Sequence, residues 1–237
     1  MQPNLAMASV RCPVMSRASP TTREALGRYA QLRSYKRGSN IFLHSSPANS
    51  GYVLISGWVK VSRVQASGSM ALLNLHAPGE VFGFSDSIRR VPRSVDAEAA
   101  TDCVVLSVPY HSLRSAMRND ASFNDVLLGH SFERNDHLLR QLEGMKVLNS
   151  LQRLACFLIR HAKPHGKHLL VKPTFEKHLV ASYLGIRPES LSRNLAKLRD
   201  HGVQDSPNGI EITDPDALKK LVGEESLIFC NLPEQVG

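Results

Sequence analysis

The sequence specifies an α+β protein: a run of short antiparallel strands, one long helix, and three further helices closed by a hairpin. Three observations predict this. From Ser34 to Pro109, short stretches rich in β-branched and aromatic residues alternate with turn residues. From His111 to about Lys146 there is no Pro and almost no Gly, and apolar residues recur at three- and four-residue steps. After Asn149, SLQRLACFLIRHA, TFEKHLVASYL and PESLSRNLAKLRDHG read as helices, and VQDSPNGIEITD places Asn208-Gly209 between two β-prone runs, a hairpin signal.

In chain order, residues 1–20 are Pro/Ser-rich and are expected to be a mobile leader. A short helix is expected over Thr21 to Leu32, capped by Thr21 or Thr22. The strand candidates are NIFLH, GYVLISGWVKVSRV, ALLNLH, VFGF and CVVLSV, broken by SSPANSG, ASGS, APGE and RRVPRS. Short strands at even spacing indicate an antiparallel barrel or sandwich, assigned here to residues 21–117. The long helix, assigned to 118–148, has two possible partners: its own barrel or the same helix of a second subunit. The heptad-like spacing favours the second, with Leu128, Phe132, Leu138, Leu139, Leu142 and Met145 as the dimer face. Helix, helix, helix, hairpin over 149–223 is the order of a winged helix-turn-helix, and 224–237 is left as a tail.

The segment LGIRPESLSRNLAKLR carries the chemistry. Thr174 can cap a helix ending near Leu184, and Gly185 turns the chain without a Cβ penalty. Ile186 is an apolar plug, and Pro188 suits the first turn of the next helix, where its missing N–H costs nothing. Leu191, Leu195 and Leu198 then face inward, leaving Glu189, Ser192, Arg193 and Lys197 on the other side. In a DNA major groove, Arg can bond guanine bidentately, Glu can accept from cytosine, Ser can reach bases or phosphates, and Lys supports backbone contact. Arg187, Pro188 and Ser190 complete the DNA-facing set at the helix start, which reaches the bases first.

Charge supports this placement. Formal net charge is +8 over 237 residues, and residues 150–222 hold 12 Lys and Arg against 7 Asp and Glu, so the basic excess is densest around that segment. No stretch of about 18 apolar residues supports a membrane span. The N-terminus lacks the apolar core of a signal peptide, so a cytoplasmic location is expected. Four scattered cysteines without a CxxC pair read as neither a disulfide framework nor a zinc site, with Cys103 and Cys156 as small buried hydrophobes. A lone Cys12 cannot supply the four thiolates of an iron–sulfur cluster. No nucleophile elbow, phosphate loop or metal-spaced cluster argues for an enzyme, and no catalytic or metal residue is proposed. His165-Gly-Lys-His168 comes nearest to a metal pair and reads as solvated basic residues in a loop.

These stretches together resemble the family of bacterial transcription regulators typified by the cyclic AMP receptor protein and the oxygen regulator FNR. The pattern has most in common with the denitrification-regulator (Dnr/NnrR-like) branch. The likeness runs from about Ser34 to Leu221, carried by YVLISGWVKV, GEVFG, PRSVDAEAATDCVVLSV, the long helix and LVASYLGIRPESLSRNLAKLRDHGV. It implies an antiparallel β-roll of cyclic-nucleotide-binding type and a homodimer joined by the long helix. It also implies double-stranded DNA and RNA polymerase as partners. Members with a Glu-x-x-Ser-Arg recognition helix read TTGA-type half-sites; Glu189, Ser192 and Arg193 occupy that pattern, implying a site like TTGA-N6-TCAA.

For the sensor, nucleotide-binding members place a Glu for the ribose hydroxyl after a glycine turn, and an Arg-Ser or Arg-Thr pair on the phosphate. Gly83 matches the glycine and Arg93-Ser94 the pair, but Phe84 stands where Glu belongs. A Phe cannot accept the hydroxyl bond and partly fills the pocket. The resemblance therefore leaves the effector open. The options are heme, with His44, His76 and His111 in the sensor domain, a cyclic nucleotide, a redox role for Cys12 or Cys103, or no ligand.

Overall fold

The computed structural model describes residues 12–64, 70–171, 177–207 and 209–230 and divides into two units, residues 1–132 and 133–237. The described part of the first holds helices α1 (Pro13–Arg17) and α2 (Pro20–Gly27), followed by β1 (Gln31–Tyr35), β2 (Asn40–Phe42), β3 (Ser50–Ser56), β4 (Val59–Val64), β5 (Met70–His76) and β6 (Val81–Phe82). Helix α3 (Phe84–Arg89), β7 (Asp96–Ala99), β8 (Cys103–Pro109) and α4 (Tyr110–Asn119) complete it, with the start of α5 (Ala121–Val147). The strands form two antiparallel four-stranded sheets, ordered β1-β8-β3-β6 and β2-β7-β4-β5. Consecutive β7 and β8 thus belong to opposite sheets.

Strands β3 and β8 are apolar at nearly every position because both of their faces are covered. Tyr52, Leu54, Cys103 and Val105 point between the sheets, with Phe42, Phe82, Ala97 and Ala99. Val53, Ile55, Leu106 and Val108 point to the other face, against Leu26, Leu113, Ala116 and Phe123 of the helices. The two-residue period of a strand distributes one apolar run over two cores.

Three expectations are corrected in this unit. Residues 12–20 are not a mobile leader: α1 lies here, and Cys12, Val14, Met15 and Ala18 are buried in the helix-side core. The stretch VFGF is not one strand. It breaks at Gly83, whose φ of 70° is left-handed, and Phe84 begins α3. The long helix is two helices, parted at Asp120. That carboxylate accepts from Phe123 N (3.2 Å) and Ser122 Oγ (2.6 Å), as an N-cap does, and from Ser19 Oγ (2.8 Å) and Thr22 Oγ1 (2.6 Å) of the N-terminal segment. These bonds to the charged form hold the Asp120 carboxyl well below the ordinary carboxylate range.

In the second unit, α6 (Ser150–His161), the hairpin β9 (Lys163–His165) and β10 (His168–Val171), α7 (Lys177–Leu184) and α8 (Pro188–Leu198) follow the rest of α5. Then come β11 (Val203–Ser206), β12 (Gly209–Ile212), α9 (Pro215–Val222) and a C-terminal 3-10 segment (Glu224–Cys230). The sheet order is β11-β12-β10-β9. The expected wing hairpin is present as β11 and β12, with Ser206 paired to Gly209; Asn208 lies outside the described residues, as does Thr174. His165 and His168 are exposed partners in the β9–β10 hairpin, not parts of a loop.

The tail and cysteine readings are corrected too. Cys230 is 1% exposed and disulfide-bonded to Cys156 of α6, with Cα atoms 4.4 Å apart. A separation of 74 residues leaves no local spacing to announce the pair.

Candidate DNA interface and sensor cradle

Helix α8 is built to show one face. Its entry turn closes α7 through Ile186 N to Ala181 O (2.9 Å), with Gly185 at φ 65°. Arg187 is the N-cap in extended geometry and Pro188 occupies the first turn. Leu191, Asn194 and Leu198 are buried, with Leu195 partly so. Arg187, Pro188, Glu189, Ser192, Arg193 and Lys197 are exposed and Ser190 is partly exposed. The side chains of Arg187, Glu189, Arg193 and Lys197 form no hydrogen bond or ion pair among the described residues. Ser192 Oγ donates to Pro188 O (3.2 Å) within the helix, which leaves its lone pairs outward.

Two positioning groups escape a reading by periodicity. Asn194 sits on the buried face and donates from Nδ2 to Ser150 Oγ (3.1 Å), pinning α8 to the start of α6. Helix α6 is itself fixed by a capping box: Asn149 accepts from Gln152 N (3.0 Å), and Gln152 Oε1 accepts from Asn149 N (3.1 Å). Asn-x-x-Gln is visible in the sequence and is the signal that locates this cap.

The six apolar residues assigned to a dimer face are all exposed: Leu128, Phe132, Leu138, Leu139, Leu142 and Met145 lie between 47% and 62%. Val126 and Leu127 instead pack on the helix-side core of the first unit, so the start of α5 divides its apolar residues between two tasks.

In the sensor unit, Gly83, Phe84, Arg93 and Ser94 come together, but in a closed arrangement. Phe84 is 9% exposed, and its ring fills the space above Gly51, where an added Cβ would meet it at 2.5 Å. Arg93 is 2% exposed. Its guanidinium donates to Gly83 O (2.6 Å) and to Ser50 O, and lies 4.2 Å over the Phe42 ring. Burial draws its pKa down from the usual arginine value. Ser94 donates from Oγ to the Asp86 carboxylate (3.2 Å). The groups that would hold a cyclic phosphate are thus engaged with backbone carbonyls and an anion, and the space beside them holds an aromatic ring. They do not fit a cyclic nucleotide.

The three sensor-domain histidines have neighbours of their own. His76 is buried with Nδ1 2.9 Å from Glu80 and Nε2 3.2 Å from Asn74. His44 Nδ1 lies 2.9 Å from Ser45 Oγ, and His111 packs edge-on against Tyr29. Among the described residues, no three His, Cys, Asp or Glu side chains group as a metal site. No helix among those residues is long and apolar enough to cross a membrane.

An antiparallel roll joined to a winged helix with an uncommitted basic face is the build of a DNA-binding transcription regulator with a sensor domain. Comparison supplies the family. A profile of the cyclic nucleotide-binding domain matches residues 32–120, and one of the Crp-like helix-turn-helix domain matches residues 152–221. A crystal structure from Ruegeria pomeroyi DSS-3, described as a candidate cyclic nucleotide binding protein, is 33% identical with a TM-score of 0.74. It is covered over 99% of its length by 94% of this chain. The nitrogen fixation regulation protein FixK of Rhizobium meliloti is 26% identical over 191 residues, 79% of this chain and 85% of FixK. The CRP-like cAMP-activated global transcriptional regulator of Mycobacterium tuberculosis is 23% identical over 215 residues, 89% of this chain and 96% of that protein. The chain belongs to the CRP/FNR family of bacterial transcription regulators.

Proposed function

We propose that this protein is a homodimeric, cytoplasmic regulator that reads TTGA-type half-sites through Glu189, Ser192 and Arg193. The observation carrying the reading is that these side chains share the exposed face of α8, with Glu189 and Arg193 unspent on intramolecular bonds. Arg187 and Pro188 sit at the helix start, and Lys197 one turn beyond Arg193 adds charge for the phosphates. The exposed stripe from Leu128 to Met145 is the subunit interface, since an apolar row of this length on one helix needs a partner to leave water. Two recognition helices related by a two-fold axis then read a near-palindrome.

The sensor domain of this protein does not take a cyclic nucleotide in the manner of its cAMP-activated relatives. Phe84 and the engaged Arg93 and Ser94 support that reading. Titration calorimetry with cyclic AMP and cyclic GMP tests it: no heat is expected, and micromolar binding would overturn it. For the output end, a gel shift with a TTGA-N6-TCAA duplex should show retention that falls steeply with salt. Sedimentation should give a dimer. Equal retention of scrambled duplex would defeat the assignment of the half-site.

A further inference from the structure

We propose that Cys156 and Cys230 are a reversible thiol–disulfide site that fastens the C-terminal segment to the DNA-binding domain and tunes its affinity for DNA. The inference rests on the DNA-binding reading for its second half only. The two residues are bonded across 74 positions, with Cα atoms 4.4 Å apart, inside the range a disulfide spans. Cys156 is 6% and Cys230 1% exposed, yet both line a cavity of about 60 Å³ together with Arg153, Arg160, Phe157 and Tyr183. Arg153 and Arg160 of α6 line the same cavity, and Arg153 donates to Leu148 O (2.9 Å) at the end of α5, so the bond lies beside the junction of the two helices.

A regulator that works on DNA in a bacterial cytoplasm works where thiols are kept reduced. There a disulfide is a signal rather than a permanent brace. The other two cysteines do not share the chemistry. Cys12 and Cys103 are free, neither is bonded to another cysteine, and burial raises both thiols, Cys103 to about 11.

The bond has a route to the reading head. Phe229 packs over Gly144 of α5, where an added Cβ would lie 3.4 Å from the Phe229 Cβ. Gln152 of α6 donates to Val222 O (3.3 Å) at the end of α9. Helix α6 carries both Cys156 and Ser150, the partner of Asn194 in α8. Fixing the Glu224–Cys230 segment on α6 therefore stiffens the helix that holds α8. Formation of the bond is a two-electron oxidation. In exchange with a low-molecular-weight disulfide, the Cys156–Cys230 bond forms as the oxidant's S–S bond breaks, and its two sulfurs leave as thiols with the two protons.

The test uses the full chain treated with oxidised glutathione or with dithiothreitol. Alkylation and mass mapping identify the thiols, and anisotropy measures affinity for the TTGA-N6-TCAA duplex. The oxidised protein should yield a linked Cys156–Cys230 peptide that dithiothreitol abolishes, with Cys12 and Cys103 unlinked. It should bind the duplex about fivefold or more tightly than the reduced form. Cys230→Ser and Cys156→Ser should each behave as reduced protein in both conditions. Absence of the linked peptide overturns the proposal, and so does equal affinity in the two states. Should neither state bind the duplex, the half-site reading fails, and the thiol map, which needs no DNA, still decides the site.

Discussion

Replacing Arg193 by Ala is the most direct probe of the reading face. Arg193 is exposed on α8 and its side chain makes no ion pair or hydrogen bond among the described residues, so its removal leaves no buried partner stranded. Folding stability should stay within about 0.5 kcal/mol of the parent, as for a surface change away from special features. The loss belongs to DNA. A base-specific pair is worth about 1–3 kcal/mol, and a dimer loses two of them, or about 2–6 kcal/mol if the half-sites are independent. Anisotropy titrations on TTGA-N6-TCAA and on duplexes altered at the contacted base pair should show that the variant loses both affinity and preference. Lys197→Ala should instead weaken all duplexes alike and flatten the salt dependence. Unchanged affinity for Arg193→Ala, or an equal loss on scrambled DNA, would refute the assignment of base reading to this residue.

Further predictions address the other parts. Leu139→Glu with Leu142→Glu places two charges in the apolar stripe, where the parent residues are 56% and 54% exposed, and should convert a dimer to a monomer in sedimentation at micromolar concentration. Phe84→Ala removes a ring packed over Gly51 and should lower stability by about 3–5 kcal/mol in chemical denaturation; a change under about 1 kcal/mol would show that the ring is not a packed plug. Asp120, whose folded pKa is depressed, contributes stability that is present above its unfolded pKa, about 4, and is lost as pH falls through the lower folded value. Asp120→Asn should therefore lower the Tm at pH 7, and its penalty should shrink in thermal melts below about pH 4.

The parts of this molecule legible in its sequence are those encoded over a few turns. LGIRPESLSRNL announces its turn at Gly185, its first helical turn at Pro188 and its two faces within one window, and the face it shows is the one observed. The double burial of β3 and β8 is legible as unbroken apolar runs. Other features depend on groups far apart in the chain. Cys156 and Cys230 meet across 74 residues. Cys12 and Met15 look like a polar leader until the core they enter is known. Asp120 divides the long helix without Pro or Gly, because a carboxylate that caps one helix and receives Ser19 and Thr22 needs no helix breaker. Phe84 is an intermediate case. Its departure from the nucleotide-binding pattern is visible in the sequence, whereas the turning of Arg93 onto Gly83 and Ser50 is a tertiary fact.

The identity of the DNA proposed for α8 is the central point of the function inferred for this protein. Selection by the full-length protein from a random duplex pool, sequenced after several rounds, measures this without presupposing a site. Enrichment of two TTGA-type half-sites in inverted repeat, separated by six base pairs as in TTGA-N6-TCAA, is the predicted result. An unrelated consensus, or a pool that remains random, would contradict it.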